Sequence, residues 1–240
     1  MNRLRHQLAR GAARLAAALA LEPATARIEA SALLGHVLGK PRAWLIAHDD
    51  EALPADAAAR FSTLLSRREA GEPVAYLVGE REFHGLAFIV TPAVLIPRPE
   101  TELLAELALA RLPGHTAARV LDLGTGSGAL AVTLAKWRPT ARVTALDASL
   151  AALDVARQNA GRHGVANVRF QHSDWFSALT GEIFELVVAN PPYVAAEDAH
   201  LKCGDVRFAP LAALAAGLDG LDAIRRIAGE APSHLAPAGA

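Results

Sequence analysis

The stretch that decides the fold is Phe184-Glu185-Leu186-Val187-Val188-Ala189-Asn190-Pro191-Pro192-Tyr193. Its first half is a short run rich in valine and leucine, which is typical of a buried strand in a parallel sheet. The prolines end the strand because they have no N–H for a sheet ladder, and Pro191 disfavours the helical conformation for Asn190. Asn190 and Tyr193 are therefore predicted to lie on a stiff turn at the carboxyl end of a strand, where open α/β sheets bind ligands.

This turn offers groups that suit a planar amide or amino nitrogen. Asn190 Oδ1 and the Pro191 carbonyl are two acceptors for the hydrogens of an NH2 group, and Tyr193 adds a flat ring against its plane. Such a nitrogen is a weak nucleophile because its lone pair is delocalised, so it needs alignment with a strong electrophile. A methyl donor with a sulfonium would use this turn well, whereas a nicotinamide enzyme would not need it.

The composition bounds the class of protein. A chain of 240 residues, 52% of them hydrophobic, can hold one large domain or one medium and one small domain. The net charge of −1 implies no polyanion-binding surface, and a single cysteine excludes a disulfide framework and favours a reducing compartment. An apolar patch at residues 15–21 is at the lower limit for a signal peptide, and its leucines continue a helical stripe from Leu4, so an amphipathic helix is predicted instead.

The first 72 residues are predicted to form a small helical bundle. Its predicted helices span residues 2–20, 26–38, 41–47 and 55–70. No catalytic constellation occurs in this region. Two roles stay open for it: a packing domain that covers part of the rest of the chain, or a docking domain for a macromolecular substrate. Residues 73–98 are predicted to be a linker with a short β-hairpin, and residues 99–240 an α/β domain.

A glycine-rich loop follows the strand predicted at residues 119–123. The loop residues are Gly124, Thr125, Gly126, Ser127 and Gly128. Glycines let the backbone turn tightly against a ligand, with a helix N-terminus behind it, although this loop alone also fits a dinucleotide site. Asp147 ends the next strand, where a carboxylate can accept both hydroxyls of a ribose. Asp174 and Trp175 follow the third strand, where they can meet the edge and face of a base, with ordinary core packing as the alternative for Trp175.

A proline-rich stretch at residues 96–102 precedes a helix predicted to end near Leu112. Thr101 is predicted to open that helix. Arg98, Glu100 and Glu102 are candidates for lining a site, and helix capping with surface charge is the alternative for all three.

These motifs resemble those of Rossmann-type methyltransferases that use S-adenosylmethionine. The shared residues are Asp122-Leu-Gly124-Thr-Gly126-Ser-Gly128, Asp147 and Asn190-Pro-Pro-Tyr193. Two further stretches, Pro97-Arg98-Pro99-Glu100-Thr101 and Gly204-Asp205-Val206-Arg207-Phe208, narrow the resemblance to the bacterial peptide-chain-release-factor glutamine N5-methyltransferases. The loop is specific only to the superfamily, whereas Pro-Arg-Pro-Glu-Thr combined with Asn-Pro-Pro-Tyr is highly specific. The resemblance covers nearly the whole chain.

The resemblance implies an α/β fold, in which a Rossmann-like class I methyltransferase domain is preceded by a small all-α helical-bundle domain that helps to dock the release factor. It implies that the loop Gly124–Gly128 cradles the methionine part of S-adenosylmethionine and that Asp147 binds its ribose. Asp174 and Trp175 would hold its adenine. Asn190 would touch both donor and substrate. The catalytic and substrate-binding residues Asn190, Pro191, Pro192 and Tyr193 would hold the glutamine of a Gly-Gly-Gln motif.

The implied reaction is in-line methyl transfer to N5 of that glutamine, with S-adenosylhomocysteine as product and translation termination as the process affected. No metal is expected because the sulfonium supplies the electrophile, and no strong base is needed because the methylated nitrogen is acidic. A cytoplasmic monomer is expected, without membrane or direct nucleic-acid binding. Two alternatives stay open: an adenine-N6 nucleic-acid methyltransferase, against which the near-neutral charge counts, and a non-catalytic form that binds a partner through the helical domain.

The sequence departs from the family pattern in two places. Ala209 precedes Pro210 where the family usually has glutamate, which puts any role of that carboxylate in doubt. The sequence also reaches residues 237–240 where the fifth strand of the family should begin, so the C-terminal strands are expected to be missing. The outer edge of the fourth strand is therefore predicted to be uncovered.

Overall fold

A computed structural model describes residues 3–112 and 117–240 of the chain. Two compact units divide the chain between Gly79 and Glu80. The helices of the first unit are α1 (Leu4–Leu19), α2 (Pro23–Leu38), α3 (Arg42–Ala47), α4 (Ala55–Glu69) and α5 (Val74–Val78). The prediction of an all-α N-terminal region is confirmed.

The leucine stripe of α1 faces the core of the first unit. Leu4, Leu8 and Leu15 are buried. Gly11 lies between them and lets α4 come close, because a Cβ atom on Gly11 would lie only 2.9 Å from Phe61 Cζ. The amphipathic helix predicted in place of a signal peptide is therefore a packing element of this bundle.

Helix α5 occupies residues that were assigned to a linker. Pro73 precedes its first turn, and Gly79 ends it in the left-handed conformation, donating its N–H to the Ala75 carbonyl at 2.9 Å. Leu77 is buried in the core of the first unit. The sequence could not predict this helix because five apolar residues are too few to show a helical period.

The second unit combines a hairpin with an α/β sheet. The hairpin strands are β1 (Glu80–Phe83) and β2 (Leu86–Ile89). The remaining elements are α6 (Pro99–Arg111), β3 (Arg119–Leu123), α7 (Ala129–Trp137), β4 (Arg142–Asp147), α8 (Leu150–Arg162), β5 (Val168–His172), β6 (Leu186–Ala189) and α9 (Asp222–Glu230). His84 and Gly85 join β1 to β2 with φ angles of 50° and 76°, as expected for a two-residue hairpin turn.

The sheet has the order β5-β4-β3-β6, and all its neighbouring strands are parallel. This confirms the predicted Rossmann-like fold. Strand β3 pairs with β4 on one side and with β6 on the other, so the strand order reverses beside β3. In open α/β sheets, ligands bind at the carboxyl ends of the strands at such a point. The register pairs Leu123 with both Leu146 and Ala189, which brings the residues after all three strands to one edge.

The outer edge of β6 differs from the expectation. The Phe184 N–H donates to the His234 carbonyl at 2.8 Å, and the Ala236 N–H donates to the Phe184 carbonyl at 2.9 Å. Further along, the Val187 N–H donates to the Ala240 carbonyl at 2.8 Å. The prediction of an uncovered edge is therefore wrong for residues 184–187, which include the first half of β6, because residues 234–240 run beside them and bond to their backbone.

Across residues 3–112 and 117–240, no helix combines the length and the apolar character needed to cross a bilayer.

Candidate functional site

A cavity of about 650 Å³ opens at the carboxyl ends of β3, β4 and β6. This volume falls within the roughly 300–1,000 Å³ of ligand pockets. The predicted site residues that line it are Gly124, Thr125, Gly126, Ser127, Asp147, Asp174, Trp175, Asn190 and Pro192. Gly128, Pro191 and Tyr193 lie outside its lining, and Tyr193 is 63% exposed. In the described part of the chain, no group of three or more His, Cys, Asp or Glu side chains is arranged to hold a metal ion.

The glycine-rich loop has a backbone that side chains would disturb. Gly124, Gly126 and Gly128 have φ angles of 70°, 56° and 79°, which L-residues with a Cβ atom rarely adopt. A Cβ on Gly128 would lie 3.0 Å from Ala156 Cβ, so Gly128 allows the close approach of α8 and does not itself line the cavity. The Thr125 N–H donates to the Leu146 carbonyl at 2.9 Å, which ties the loop to the end of β4.

Asp147 holds both the loop and the start of α8. Its Oδ2 accepts the Gly126 N–H at 2.8 Å, and its Oδ1 accepts the Ser149 N–H at 2.8 Å. A carboxylate has about four acceptor positions, so each oxygen keeps capacity for a hydroxyl group in the cavity. The residue predicted to bind ribose is thus fixed in orientation by two backbone amides.

Asp122 lies on β3 directly before the glycine-rich loop, and the sequence alone indicates no role for it. It points into the cavity lining from β3, yet it is only 1% exposed. The Thr125 hydroxyl donates to its Oδ2 at 2.7 Å. Burial raises the pKa of the Asp122 carboxyl to about 7, because the hydrogen bonds from Thr125 and the Ala131 backbone only partly offset desolvation, and the charge of Asp147 raises it further. An acidic residue inside an otherwise apolar strand was the sequence signal for this group.

Trp175 and Asp174 lie beyond β5, at the side of the loop. Trp175 has a left-handed backbone (φ 51°), and a Cβ atom on Gly124 would lie 3.7 Å from its ring. The ring is half-buried, lines the cavity and also packs against the core cluster that contains Leu121 and Phe176. Arg226 of α9 donates from Nη1 to Asp174 Oδ2 at 2.7 Å and also lines the cavity. Sequence reasoning missed Arg226, since nothing local distinguishes this half-buried arginine from the neighbouring arginine on α9.

The side chain of Asn190 is hydrogen-bonded to Thr101, which the sequence predicted to open α6. Its Nδ2 donates to Thr101 Oγ1 at 3.2 Å. Among the described residues, no other hydrogen bond engages the Asn190 side chain, which leaves Oδ1 available as an acceptor. Thr101 was predicted to open α6, but the helix begins at Pro99 and its N-cap residue makes no side-chain cap bond.

The three charged residues of the proline-rich stretch separate into different environments. Arg98 is half-buried and lines the cavity. Its guanidinium has no hydrogen-bond or ion-pair partner in the described ranges 3–112 and 117–240. Glu102 Oε1 accepts the His84 N–H at 3.1 Å, so it supports the hairpin turn, and Glu100 is exposed outside the cavity lining. Only Arg98 is therefore placed to meet a ligand.

Two family models match this chain. The PrmC N-terminal domain matches residues 7–79, and the methyltransferase small domain matches residues 99–209. The first region is that of the helical bundle, and the second contains the glycine-rich loop and the turn at Asn190.

Curated relatives extend the match to most of the chain. The release factor glutamine methyltransferase of Bordetella pertussis is 54% identical over 223 residues, which are 92% of this chain and 82% of the relative. That of Burkholderia pseudomallei is 53% identical over 219 residues, 89% of this chain and 77% of the relative. Among solved structures, the Thermus thermophilus 16S rRNA N2 G1207 methyltransferase (RsmC) in complex with AdoMet and guanosine aligns with a TM-score of 0.50 and 26% identity. That alignment covers 67% of this chain and 39% of the other.

Proposed function

This chain belongs to the release factor glutamine methyltransferase family, and on that premise we propose that it transfers a methyl group from S-adenosylmethionine to N5 of the Gly-Gly-Gln glutamine in peptide chain release factors. The observation that carries the proposal is that the glycine-rich loop and the Asn190 turn meet at one cavity. One side has the chemistry to hold the methyl donor, and the other side has the chemistry to hold a planar amide.

The residues of the first side fit S-adenosylmethionine. The left-handed glycines at 124 and 126 leave room for a ligand against the backbone, since a Cβ on Gly126 would meet no atom within 4 Å. Asp147 keeps acceptor capacity for the two ribose hydroxyls, and Trp175 offers a ring face for adenine. Arg98 supplies an unpartnered cation for the α-carboxylate of the methionine part. When bound, S-adenosylmethionine supplies a methyl group that its sulfonium charge activates.

The residues of the second side fit the glutamine amide. Asn190 lines the cavity and its Oδ1 is the acceptor for one hydrogen of the amide NH2; the carbonyl of Pro191, on the same turn but outside the lining, is proposed as the acceptor for the other. The prolines at 191 and 192 limit the freedom of this backbone, so the acceptors are ordered before the substrate arrives. Holding both hydrogens fixes the direction of the nitrogen lone pair, and alignment of this kind is the main contribution that the chain makes to the rate.

The experiment is methyl transfer from labelled S-adenosylmethionine to a purified release factor. A factor whose Gly-Gly-Gln glutamine is replaced serves as the matched substrate control. Label on the normal factor alone supports the proposal. Label on both factors would mean that another residue is the target, and no label on either would refute the proposed activity for this chain. A parallel reaction with DNA and RNA as substrates tests the adenine alternative. That alternative predicts that the label is transferred to the nucleic acid.

Replacing Asn190 by alanine tests the mechanism. Because the substrate amide loses one of its two acceptors, we expect the rate to fall by roughly 100-fold, the scale associated with misplaced reactants. The variant is compared in the same transfer assay at saturating donor. Unchanged turnover would contradict the role of Asn190 as the group that holds the amide.

The helical unit is proposed to help dock the release factor, and the enzyme is proposed to act in the cytoplasm as a monomer. To test docking, exposed residues on α1 to α4 are substituted in the full chain. The affinity of each variant for a purified release factor is then compared with that of the parent, and a lower affinity is expected. Size-exclusion chromatography with light scattering measures the oligomeric state.

A further inference from the structure

We propose that Thr101 is a positioning residue for the methyl transfer: its hydroxyl holds the Asn190 carboxamide in the orientation that presents Oδ1 to the substrate amide. The inference rests on the proposed glutamine methylation, and it assigns a specific task to the proline-rich stretch before α6. Thr101 touches neither donor nor product in this scheme, because it acts through Asn190.

The geometry that carries the inference is a single contact between distant parts of the chain. Asn190 Nδ2 donates to Thr101 Oγ1 at 3.2 Å, and 89 positions separate the two residues. Both residues line the same cavity. In the part of the chain that the structure describes, Asn190 makes no other side-chain hydrogen bond, so this contact is the one that holds its carboxamide in place.

The orientation matters because the two ends of a carboxamide have opposite chemistry. Oδ1 accepts hydrogen bonds, whereas Nδ2 only donates them. A substrate NH2 group placed against Nδ2 would meet a donor and lose one of its two acceptors. In the structure Nδ2 is used by Thr101 and Oδ1 is left for the substrate; without this partner the carboxamide is free to swing away, and only a fraction of the enzyme would be competent to align the substrate nitrogen.

Thr101 is well placed to supply that partner. It lies in the first turn of α6, whose backbone is fixed by Pro99 at the start of the helix and by the Thr101 N–H donating to the Arg98 carbonyl at 3.0 Å. Threonine in a helix uses two χ1 rotamers, and the rotamer in the structure places Oγ1 against Asn190 Nδ2. Serine retains this hydroxyl, and valine has the same shape without it, which gives a matched pair of variants.

The first test measures kinetics. We expect Thr101→Val to lower kcat by about tenfold to 100-fold, whereas Thr101→Ser stays within about threefold of the parent. The affinity for S-adenosylmethionine, measured by calorimetry, should not change in either variant. In a background of Asn190→Ala, Thr101→Val should have no further effect, since the group it positions is absent. A loss that persists in full in that background would overturn the proposal, as would a valine variant with parental kcat.

The second test needs no methyl transfer and so separates this inference from the proposed function. Asparagine-selective ¹⁵N labelling reports the side-chain NH2 groups, and the sequence has only three other asparagines, at positions 2, 159 and 167. Thr101→Val should shift the Asn190 signals and speed the exchange of their hydrogens with water, whereas Thr101→Ser should preserve both. Asn190 signals that are identical in parent and valine variant would refute the contact even if the enzyme methylates its substrate. Altered signals in a protein that transfers no methyl group would leave the contact standing and refute the function.

Discussion

Replacing Asp122 by asparagine should remove a pH dependence from the folding stability of this protein. Burial raises the pKa of Asp122 from its ordinary 3.8 to about 7 in the folded chain. Between about pH 4 and 7, the folded state therefore keeps a proton that the unfolded chain has released. The free energy of unfolding falls as pH rises through this window, and the loss is complete by about pH 8.

The magnitude follows from the two pKa values. At about 1.36 kcal/mol per unit of pKa, the difference between 3.8 and about 7 corresponds to roughly 4 kcal/mol at pH 8. Asparagine keeps one oxygen for the Thr125 hydroxyl but presents an NH2 group in place of the other, which loses about 1–2 kcal/mol of hydrogen bonding. At pH 5 about 1.7 of these roughly 4 kcal/mol are already lost in the parent, so the variant should be about as stable as the parent at pH 5 and more stable by ~2 kcal/mol at pH 8.

The assay is urea denaturation of the ligand-free protein at pH 5, 6.5 and 8, followed by circular dichroism. Thr133→Val is the matched control, because the buried Thr133 hydroxyl has no hydrogen-bond partner in the described structure and carries no charge. That variant should gain about 1 kcal/mol equally at all three pH values. If the difference in unfolding free energy between Asp122→Asn and the parent is the same at pH 5 and at pH 8, the reasoning is refuted. Such a result would mean that Asp122 does not change its charge in this range.

The remaining predictions concern donor binding. Asp147→Ala removes the acceptor of the Gly126 N–H and the proposed ribose contact, so we expect at least a tenfold weaker affinity for S-adenosylmethionine with the fold intact. Calorimetry that finds an unaltered affinity would contradict the ribose assignment. Arg98→Met should weaken the binding of S-adenosylmethionine by about tenfold and leave the binding of its decarboxylated analogue unchanged. An equal loss for both ligands would show that Arg98 does not meet the carboxylate.

The sheet and its ligand-binding edge could be predicted because their signals are local. A short apolar run ended by glycine or proline identifies both a buried strand and its carboxyl end, as at Val120–Gly124 and Leu186–Pro191. Because the strands are parallel, their carboxyl ends lie at the same edge of the sheet, so the location of the site follows from the strand assignments alone. Strand β6 begins at Leu186, two residues after the start of the predicted run at Phe184, which is the ordinary uncertainty of element ends.

The partners of the site residues could not be predicted because they come from distant segments. Thr101 meets Asn190 across 89 positions, and Arg226 meets Asp174 across 52. Each contact depends on where a helix packs, and the sequence of the helix shows only which face is polar. Thr101 was interpreted as a helix opener for this reason, since threonine near a helix start is a good local capping signal even when its hydroxyl is used elsewhere.

The position of Asn190 depends on three features that act independently. Pairing of Ala189 with Leu123 fixes where β6 ends, the two prolines stiffen the turn, and Thr101 orients the carboxamide. The donor side depends mainly on residues that follow β3, β4 and β5, and the two sides also meet where Arg98 precedes Thr101 at the start of α6. Loss of the Thr101 hydroxyl should lower the rate constant and leave donor affinity unchanged. Loss of the Asp147 carboxylate should mainly lower donor affinity. A transfer between two separately bound molecules benefits from this separation, because the amide can be aligned for the transition state without changing how tightly the donor is held.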